Sequence, residues 1–381
     1  MKIGIVCYPT YGGSGVVATE LGKALAKKSH QIHFISYKQP ARLDHYGSNL
    51  FYHEVGILNY PLFEYPPYEL ALISKLVDVI KFTKLDLLHV HYAIPHAFAA
   101  YMAKQILLKD GIQIPVVTTL HGTDITLVGK DPSYEPAVTW SINNSDAVTS
   151  VSQFLKDETY KFFKVEKDIA VIPNFIDLKR FSKKPKEHFK KALAPHGEKI
   201  IVHTSNFRKV KRVQDVMTIF ENVRNEIPAK LLFIGDGPER TNVEAQCRKS
   251  PYCSDVRFLG KIDAVEEVLS ICDLFILPSE SESFGLAALE AMACQVPVIS
   301  SNAGGLPEVN THGVTGYVSD VGDTDSMTKF ALEILRDEAV LTRFKKNALI
   351  RAKEFDIKKI MPLYVSLYTE LIERINSPVA H

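Results

Sequence analysis

No apolar run in this 381-residue sequence is long enough to cross a bilayer as a helix. The opening Ile3-Gly-Ile-Val-Cys-Tyr8 is stopped by Pro9, too early for the apolar core of a secretory signal, so a cytoplasmic protein is expected. An excess of charge is missing as well. The 45 Lys plus Arg face 44 Asp plus Glu, so neither nucleic acid nor a membrane surface is expected as a partner, and any anion site must be local. Cysteine is scarce. Cys247 and Cys253 have neither CxxC spacing nor the partners of a zinc site, and Cys7, Cys272 and Cys294 sit in apolar contexts. All five are expected as reduced thiols, three of them in the core. What is plentiful is apolar: 46% of the residues, with 10% aromatic, which suffices for two cores and excludes disorder.

The most informative stretch is Pro278-Ser-Glu-Ser-Glu-Ser-Phe-Gly-Leu-Ala-Ala-Leu-Glu290. A short apolar run at 273–277 predicts a buried strand before it, and 286–293, rich in Ala, Leu and Met, predicts a helix after it. Glu282 then lies at the mouth of the helix, and Glu290 about two turns on, roughly 80° round the barrel. Both can face one crevice. The N–H groups of Ser283, Phe284 and Gly285, next to Leu286, are expected in the first helical turn, where they lack helical partners and carry the positive end of the dipole. Two isolated glutamates suit a cap and a solvated helix face. Here a strand at 296–301 runs into a second Gly-rich loop at 302–308, and two such loops on adjacent strands make a ligand crevice in an open α/β sheet.

Earlier, a strand at 2–8 is followed by a loop at 9–15 containing Gly12, Gly13, Ser14 and Gly15, then a helix at 16–28. Such a turn lets backbone approach an anion seated on the helix N-terminus. The spacing is not GxGxxG, and no acidic residue in the strand at 31–37 is placed for a ribose, which argues against a dinucleotide. The segment 42–68 is expected to be irregular. A strand at 85–92 carries His89, His91 and Tyr92, with His96 just beyond. Three histidines invite a metal, but no Cys, Asp or Glu completes the set, so His89 is read as packed or hydrogen-bonded. A strand at 115–120, containing Thr119, delivers His121-Gly-Thr-Asp124. The charged run at 179–191 is read as a solvated linker, which divides the chain into domains 1–175 and 176–360. A second Rossmann-like unit begins at 199–206, with no detectable repeat of the first. Its first strand ends in Arg208-Lys-Val-Lys-Arg212; cations oppose the dipole at a helix start, and an anion such as a diphosphate would explain them. Strands at 230–234 and 256–260 follow, the latter ending at Lys261. Tyr364, Leu367, Tyr368, Leu371 and Ile375 lie on one helical stripe at 361–375.

On these residues the chain resembles the retaining glycosyltransferases of family 4, which have the GT-B fold. The likeness covers nearly the whole chain and is most specific at Glu282-x7-Glu290. It implies an α/β architecture of two Rossmann-like domains facing a central cleft, with the last helix, 361–381, crossing back to the first domain. It further implies that Arg208 and a second cation neutralise the leaving UDP diphosphate. The second lies nearer to Arg208 here than in the family pattern, so Lys211 and Arg212 both compete for the role, with Lys211 favoured. By the same resemblance Glu282 binds the donor sugar and Glu290 the ribose. Ser283, Phe284, Gly285, Leu286, Gly15 and Lys261 line the UDP-sugar, and His121 bonds the sugar 6-hydroxyl. The wording of 7–15, 89–96 and 120–126 resembles the branch that joins N-acetylglucosamine from UDP-N-acetylglucosamine to L-malate in bacillithiol biosynthesis. Gly13, Ser14, Tyr92 and Thr119 are then the acceptor candidates. No metal or other cofactor is expected, and a homo-oligomer is compatible with the sequence. The resemblance implies an oxocarbenium-like transition state, the departing phosphate taking the acceptor's proton. Another small acceptor, a UDP-sugar 2-epimerase and a non-catalytic UDP-sugar sensor remain open alternatives.

Overall fold

In the computed structural model, residues 1–381 are described except 11, 44–46, 58–63, 185 and 377–381. The chain forms two compact units, Met1–Asn174 with Ile357–His381, and Phe175–Asp356. Seven strands make the first sheet: β1 (Lys2–Val6), β2 (Gln31–Ser36), β3 (Leu50–Glu54), β4 (Leu87–His91), β5 (Val116–Leu120), β6 (Ala147–Ser150) and β7 (Ile169–Val171). They are parallel, in the order β3-β2-β1-β4-β5-β6-β7. Every residue of β4 and β5 is buried, because a central parallel strand is covered by helices on both faces. The second sheet comprises β8 (Lys199–Ser205), β9 (Ala229–Gly235), β10 (Val256–Gly260), β11 (Leu274–Leu277), β12 (Val298–Ser301) and β13 (Gly316–Ser319). It too is parallel, ordered β10-β9-β8-β11-β12-β13. These are the two Rossmann-like units of the GT-B fold. The strand order reverses between β1 and β4 in one sheet and between β8 and β11 in the other. At those points consecutive connections leave in opposite directions and open a crevice at the carboxyl ends of the strands.

Several expectations are corrected. The segment 42–68 contains β3, an edge strand paired with β2; its mix of aromatic and polar residues hides the period because an edge strand needs no continuous apolar face. Parts of that segment, 44–46 and 58–63, lie outside the described residues, as does Tyr11 of the first loop. The first helix spans Gly13–Ala26 rather than 16–28, so Gly13, Ser14 and Gly15 form its opening turn. Cys247 and Cys253 are joined in a disulfide, with Cα atoms 5.1 Å apart. Helix Arg240–Lys249 ends there and the chain turns back through Ser250, a closure that a spacing without CxxC did not reveal. Cys7, Cys272 and Cys294 are buried thiols. Nor is the charged run only a solvated linker: Lys190 and Lys345 grip the buried Asp273 at 3.2 and 2.8 Å. Burial alone would raise that carboxyl, but the two lysines hold it below the usual range.

The final helix, Ile357–Asn376, belongs to the first unit. Tyr364, Tyr368 and Leu371 of the expected stripe are buried, and Tyr368 Oη lies 2.6 Å from His89 Nδ1. Burying each such side chain contributes roughly 1.5–3 kcal/mol, so the stripe is comparable with the whole stability of a domain, about 5–15 kcal/mol. Deleting 357–381 should therefore leave the protein insoluble or lower its thermal midpoint by about 10 °C or more. A soluble truncation that melts like the parent would show the helix to be peripheral.

Candidate functional site

At the reversal in the second sheet, the loop after β8 meets the loop after β11. Lys211 Nζ lies 2.5 Å from Glu282 Oε1, and Ser279 donates its hydroxyl to the same oxygen at 3.0 Å. The two loops are also tied through backbone, Glu280 N–H to the Val210 carbonyl at 2.7 Å. The loop after β12 joins them, Gly305 N–H donating to the Glu282 carbonyl at 2.9 Å. Arg208 precedes the short turn Lys209–Lys211; its side chain is exposed and has no hydrogen bond or ion pair among the described residues. Arg212 behaves otherwise. It caps helix Val213–Glu226 in a left-handed conformation, φ +48°, and its Nε donates to Asp215 in the first turn at 2.6 Å. Asp215 thus removes the conflict between Arg212 and the helix dipole. Of the two competing cations, Lys211 is the one beside Glu282.

The connection to helix Leu286–Ala293 departs from expectation. Gly285 is its N-cap, at φ +98°, a conformation that glycine alone adopts without strain; a Cβ there would also lie 2.6 Å from Leu306 Cδ2. The helix therefore begins at Leu286, and its orphan N–H groups belong to Gly285, Leu286, Ala287 and Ala288, so Ser283 and Phe284 lie before that turn. Glu282 lies before this break, so the 80° count along one continuous helix does not apply to it. Glu290 is buried at 8% exposure, and Phe284 packs edge-on against Phe355. Lys261 stands exposed beyond β10, two strands from the reversal.

At the reversal in the first sheet, the loops after β1, β4 and β5 bring together Ser14, Tyr92 and His121. Ser14 Oγ is 2.6 Å from Tyr92 Oη, and the rings of Tyr92 and His121 lie 5.3 Å apart. Tyr92 has φ +86°, strain of the kind that persists where the surroundings over-determine a side chain's direction. Gly15 is required for a different reason: a Cβ would meet the carbonyl oxygens of Thr10 and Tyr8 at 2.4 and 2.6 Å, so the turn could not close on the helix. Gly12 supplies no capping side chain, which leaves the first N–H groups of helix Gly13–Ala26 without a side-chain acceptor from that cap. Thr119 is not at this surface. It is fully buried, with its hydroxyl between His89 Nε2 and Thr149 Oγ1, each at 2.7 Å. The sequence reading did not single out Tyr8, whose ring is 4.6 Å from that of His96, or Ser279; neither carries a spacing signal.

Behind these groups is a buried histidine cluster. The rings of His89 and His91 stack at 4.5 Å, and His91 Nδ1 lies 2.7 Å from His121 Nε2. His96 Nδ1 donates to the His91 carbonyl at 2.6 Å. No group of three metal-ligating side chains poised for an ion occurs among the described residues. Asp124 accepts the backbone N–H of Ala93 at 2.9 Å and of Gly122 at 3.1 Å, joining the loops after β4 and β5.

The family model for glycosyl transferases group 1 matches residues 184–351, and that for glycosyltransferase family 4 matches 11–180. The chain is 48% identical to the N-acetyl-alpha-D-glucosaminyl L-malate synthase of Bacillus anthracis over 98% of its length and 97% of the relative's. Among solved structures it resembles HepE of Anabaena in complex with UDP and glucose, with TM-score 0.80 and 19% identity over 97% of this chain and 99% of that one. It also resembles the sucrose-phosphate synthase of Thermosynechococcus elongatus, with TM-score 0.79 and 20% identity over 98% and 100%. None of the helices described is long and apolar enough to cross a membrane.

The histidine cluster makes the fold acid-sensitive. Burial pushes His89 and His121 down to about 3 and His96 to about 4, and holds His91 well below the ordinary range. The unfolded chain takes up these protons near pH 6.5 and the folded chain does not, so stability is fully present above that pH and is lost as pH falls toward 4. Between pH 7.5 and 5 each of the four histidines removes about 2 kcal/mol. Asp124 acts in the opposite sense. Burial raises it to about 6, against its backbone hydrogen bonds, so its proton returns about 1 kcal/mol over the same window. The histidines win. Calorimetric melting at pH 5 should fall about 10 °C or more below that at pH 7.5; equal midpoints would mean that the cluster is solvated.

Proposed function

The chain belongs to glycosyltransferase family 4, and we propose that it transfers N-acetylglucosamine from UDP-N-acetylglucosamine to the hydroxyl of L-malate, the first step of bacillithiol biosynthesis. The observation that carries this reading is the likeness to the Bacillus anthracis synthase along essentially the entire chain. The residues fit it. Arg208, with no ion pair among the described residues, and Lys211 supply the positive charge for the UDP diphosphate, and the helix starting at Leu286 adds its dipole. Glu282 accepts from the sugar hydroxyls and Glu290 from the ribose. On the acceptor side, Gly13, Ser14 and the first turn of helix Gly13–Ala26 offer N–H and O–H donors to a carboxylate, and Tyr92 shares that position through Ser14. Thr119 supports from behind rather than touching the acceptor.

With retention, malate attacks from the face the diphosphate leaves. The departing phosphate oxygen takes the hydroxyl proton, while Arg208 and Lys211 stabilise the charge that grows on it. Electrostatic stabilisation of this kind is commonly the largest catalytic contribution. Glu282 holds Lys211, so a diphosphate that takes this lysine must draw it from the carboxylate, which frees the carboxylate for the sugar. Diphosphate binding and sugar binding are thereby coupled.

Product analysis, acceptor comparison, calorimetry and variant kinetics test this reading. Mass spectrometry of a reaction with UDP-N-acetylglucosamine and L-malate should show the conjugate, and its proton NMR spectrum a small anomeric coupling for the α-link. Lactate, lacking one carboxylate, should react slower by at least about tenfold, the scale of one lost charge-assisted hydrogen bond. No malate conjugate, or equal rates with lactate, removes the acceptor assignment. In calorimetric titrations, Glu282→Gln should bind UDP about three- to tenfold tighter than the parent, because the competing ion pair is gone. Arg208→Ala and Lys211→Ala should instead lower turnover by roughly a hundredfold. Weaker UDP binding by Glu282→Gln would contradict the exchange of partners.

A further inference from the structure

His91 is fully buried one residue before Tyr92 and is held from every side. Its ring stacks on His89 at 4.5 Å and meets His121 edge to edge, the centroids 5.0 Å apart. His89 is itself fixed at both nitrogens, by Tyr368 Oη at 2.6 Å and Thr119 Oγ1 at 2.7 Å. The carbonyl of His91 accepts from His96 at 2.6 Å. None of these contacts allows the ring to turn, and its Nδ1 faces His121 Nε2 at 2.7 Å.

One proton occupies that contact, since burial keeps both rings neutral. There are two ways to place it. If His121 Nε2–H donates, His91 must carry its proton on Nε2, and that nitrogen is buried with no hydrogen-bond partner among the described residues. An orphaned buried N–H is rare and costs a full desolvation. If His91 Nδ1–H donates, Nε2 is left as an unpaired acceptor, which buried structure tolerates more often than an orphaned N–H. The second arrangement is favoured. It places the proton of His121 on Nδ1, and because Nε2 is occupied by His91, Nδ1 is the ring nitrogen left for a ligand.

We propose that His91 is a positioning residue for the transfer: its Nδ1–H bond to His121 fixes His121 as the Nδ1–H tautomer, so that His121 presents a hydrogen-bond donor to the bound sugar. This deepens the reading above, in which His121 meets the 6-hydroxyl of the donor. That hydroxyl then serves as acceptor, and a ring free to exchange tautomers would offer it a lone pair part of the time. Tyr368 of the final helix stands at the far end of the same chain of contacts and helps to fix His89, on which His91 stacks.

The tautomer is measured directly by long-range proton–nitrogen correlation spectra of the histidine rings in the ligand-free protein. His121, identified by its loss in His121→Asn, should show a protonated Nδ1 and a lone pair on Nε2. In His91→Phe, which keeps the buried ring, His121 should move toward the Nε2–H form usual in water. There kcat should fall on the order of tenfold, while UDP affinity stays at the parent value. His91→Asn, whose amide N–H replaces Nδ1–H, should restore kcat to within about threefold of the parent and guards against a phenylalanine variant that folds poorly. A parent His121 protonated on Nε2, or a His91→Phe protein with the parent tautomer or the parent kcat, overturns the proposal. A 6-deoxy donor separates this from the sugar assignment. If the parent uses it as fast as the natural donor, His121 does not meet the 6-hydroxyl, whereas the tautomer spectra still report whether His91 fixes the ring.

Discussion

Each sheet of this protein is parallel, and each reverses its strand order once, between β1 and β4 and between β8 and β11. A parallel strand must be reached by a crossover, and at a reversal neighbouring crossovers pass to opposite faces. The loops at that point are therefore not covered by a helix, and Ser14, Tyr92, Arg208, Lys211 and Glu282 sit on or just beyond them. The rest of each unit serves to hold those loop ends. The apolar cluster of Ile201, Phe220, Phe233, Ile276 and Phe344 fixes β8, β9 and β11 in one unit. Leu76, Ile80, Leu88, Val90 and Ala103 do the same for β4 in the other.

On that frame the second unit arranges charge so that it can be exchanged. Lys211 and Glu282 neutralise each other, and Arg212, the less favoured candidate in the sequence, is committed to Asp215. Two adjacent cations thus have different tasks: one compensates a helix start, and the other waits beside a carboxylate. Asp273, gripped by Lys190 and Lys345, shows the contrasting case of a buried ion pair with a structural role.

The first unit relies on polar groups that burial keeps neutral. Tyr368, His89 and Thr119 form one set of short hydrogen bonds and His121, His91 and His96 another, and the two are joined by the stacked rings of His89 and His91. Such a network is costly if any member loses its partner, and that cost is what gives the rings single orientations. It also links the end of the chain to the loops after β4 and β5, since Tyr368 reaches His89.

The sequence alone determined the succession of strands and helices, the Glu282-x7-Glu290 motif, the cation cluster at 208–212, the apolar stripe at 361–375 and the family likeness, because each is written in local spacing. Tertiary structure decided what depends on residues distant in the chain. Lys211 is separated from Arg212 by the contact with Glu282, 71 positions away. Thr119 is withdrawn from the surface by His89 and Thr149, each 30 positions away. The exclusion of Ser283 and Phe284 from the first helical turn was missed because it depends on one positive φ at Gly285, and β3 because an edge strand needs no continuous apolar face. The pairing of Cys247 with Cys253 depended on the turn beyond a helix end. His89, His91 and His121 could be read as separate residues of two strands, but their joining required the β4–β5 register, which sets His89 beside Val117 and His91 beside Thr119. Periodicity specifies which face a side chain takes; only the pairing of strands specifies which other side chain it meets there.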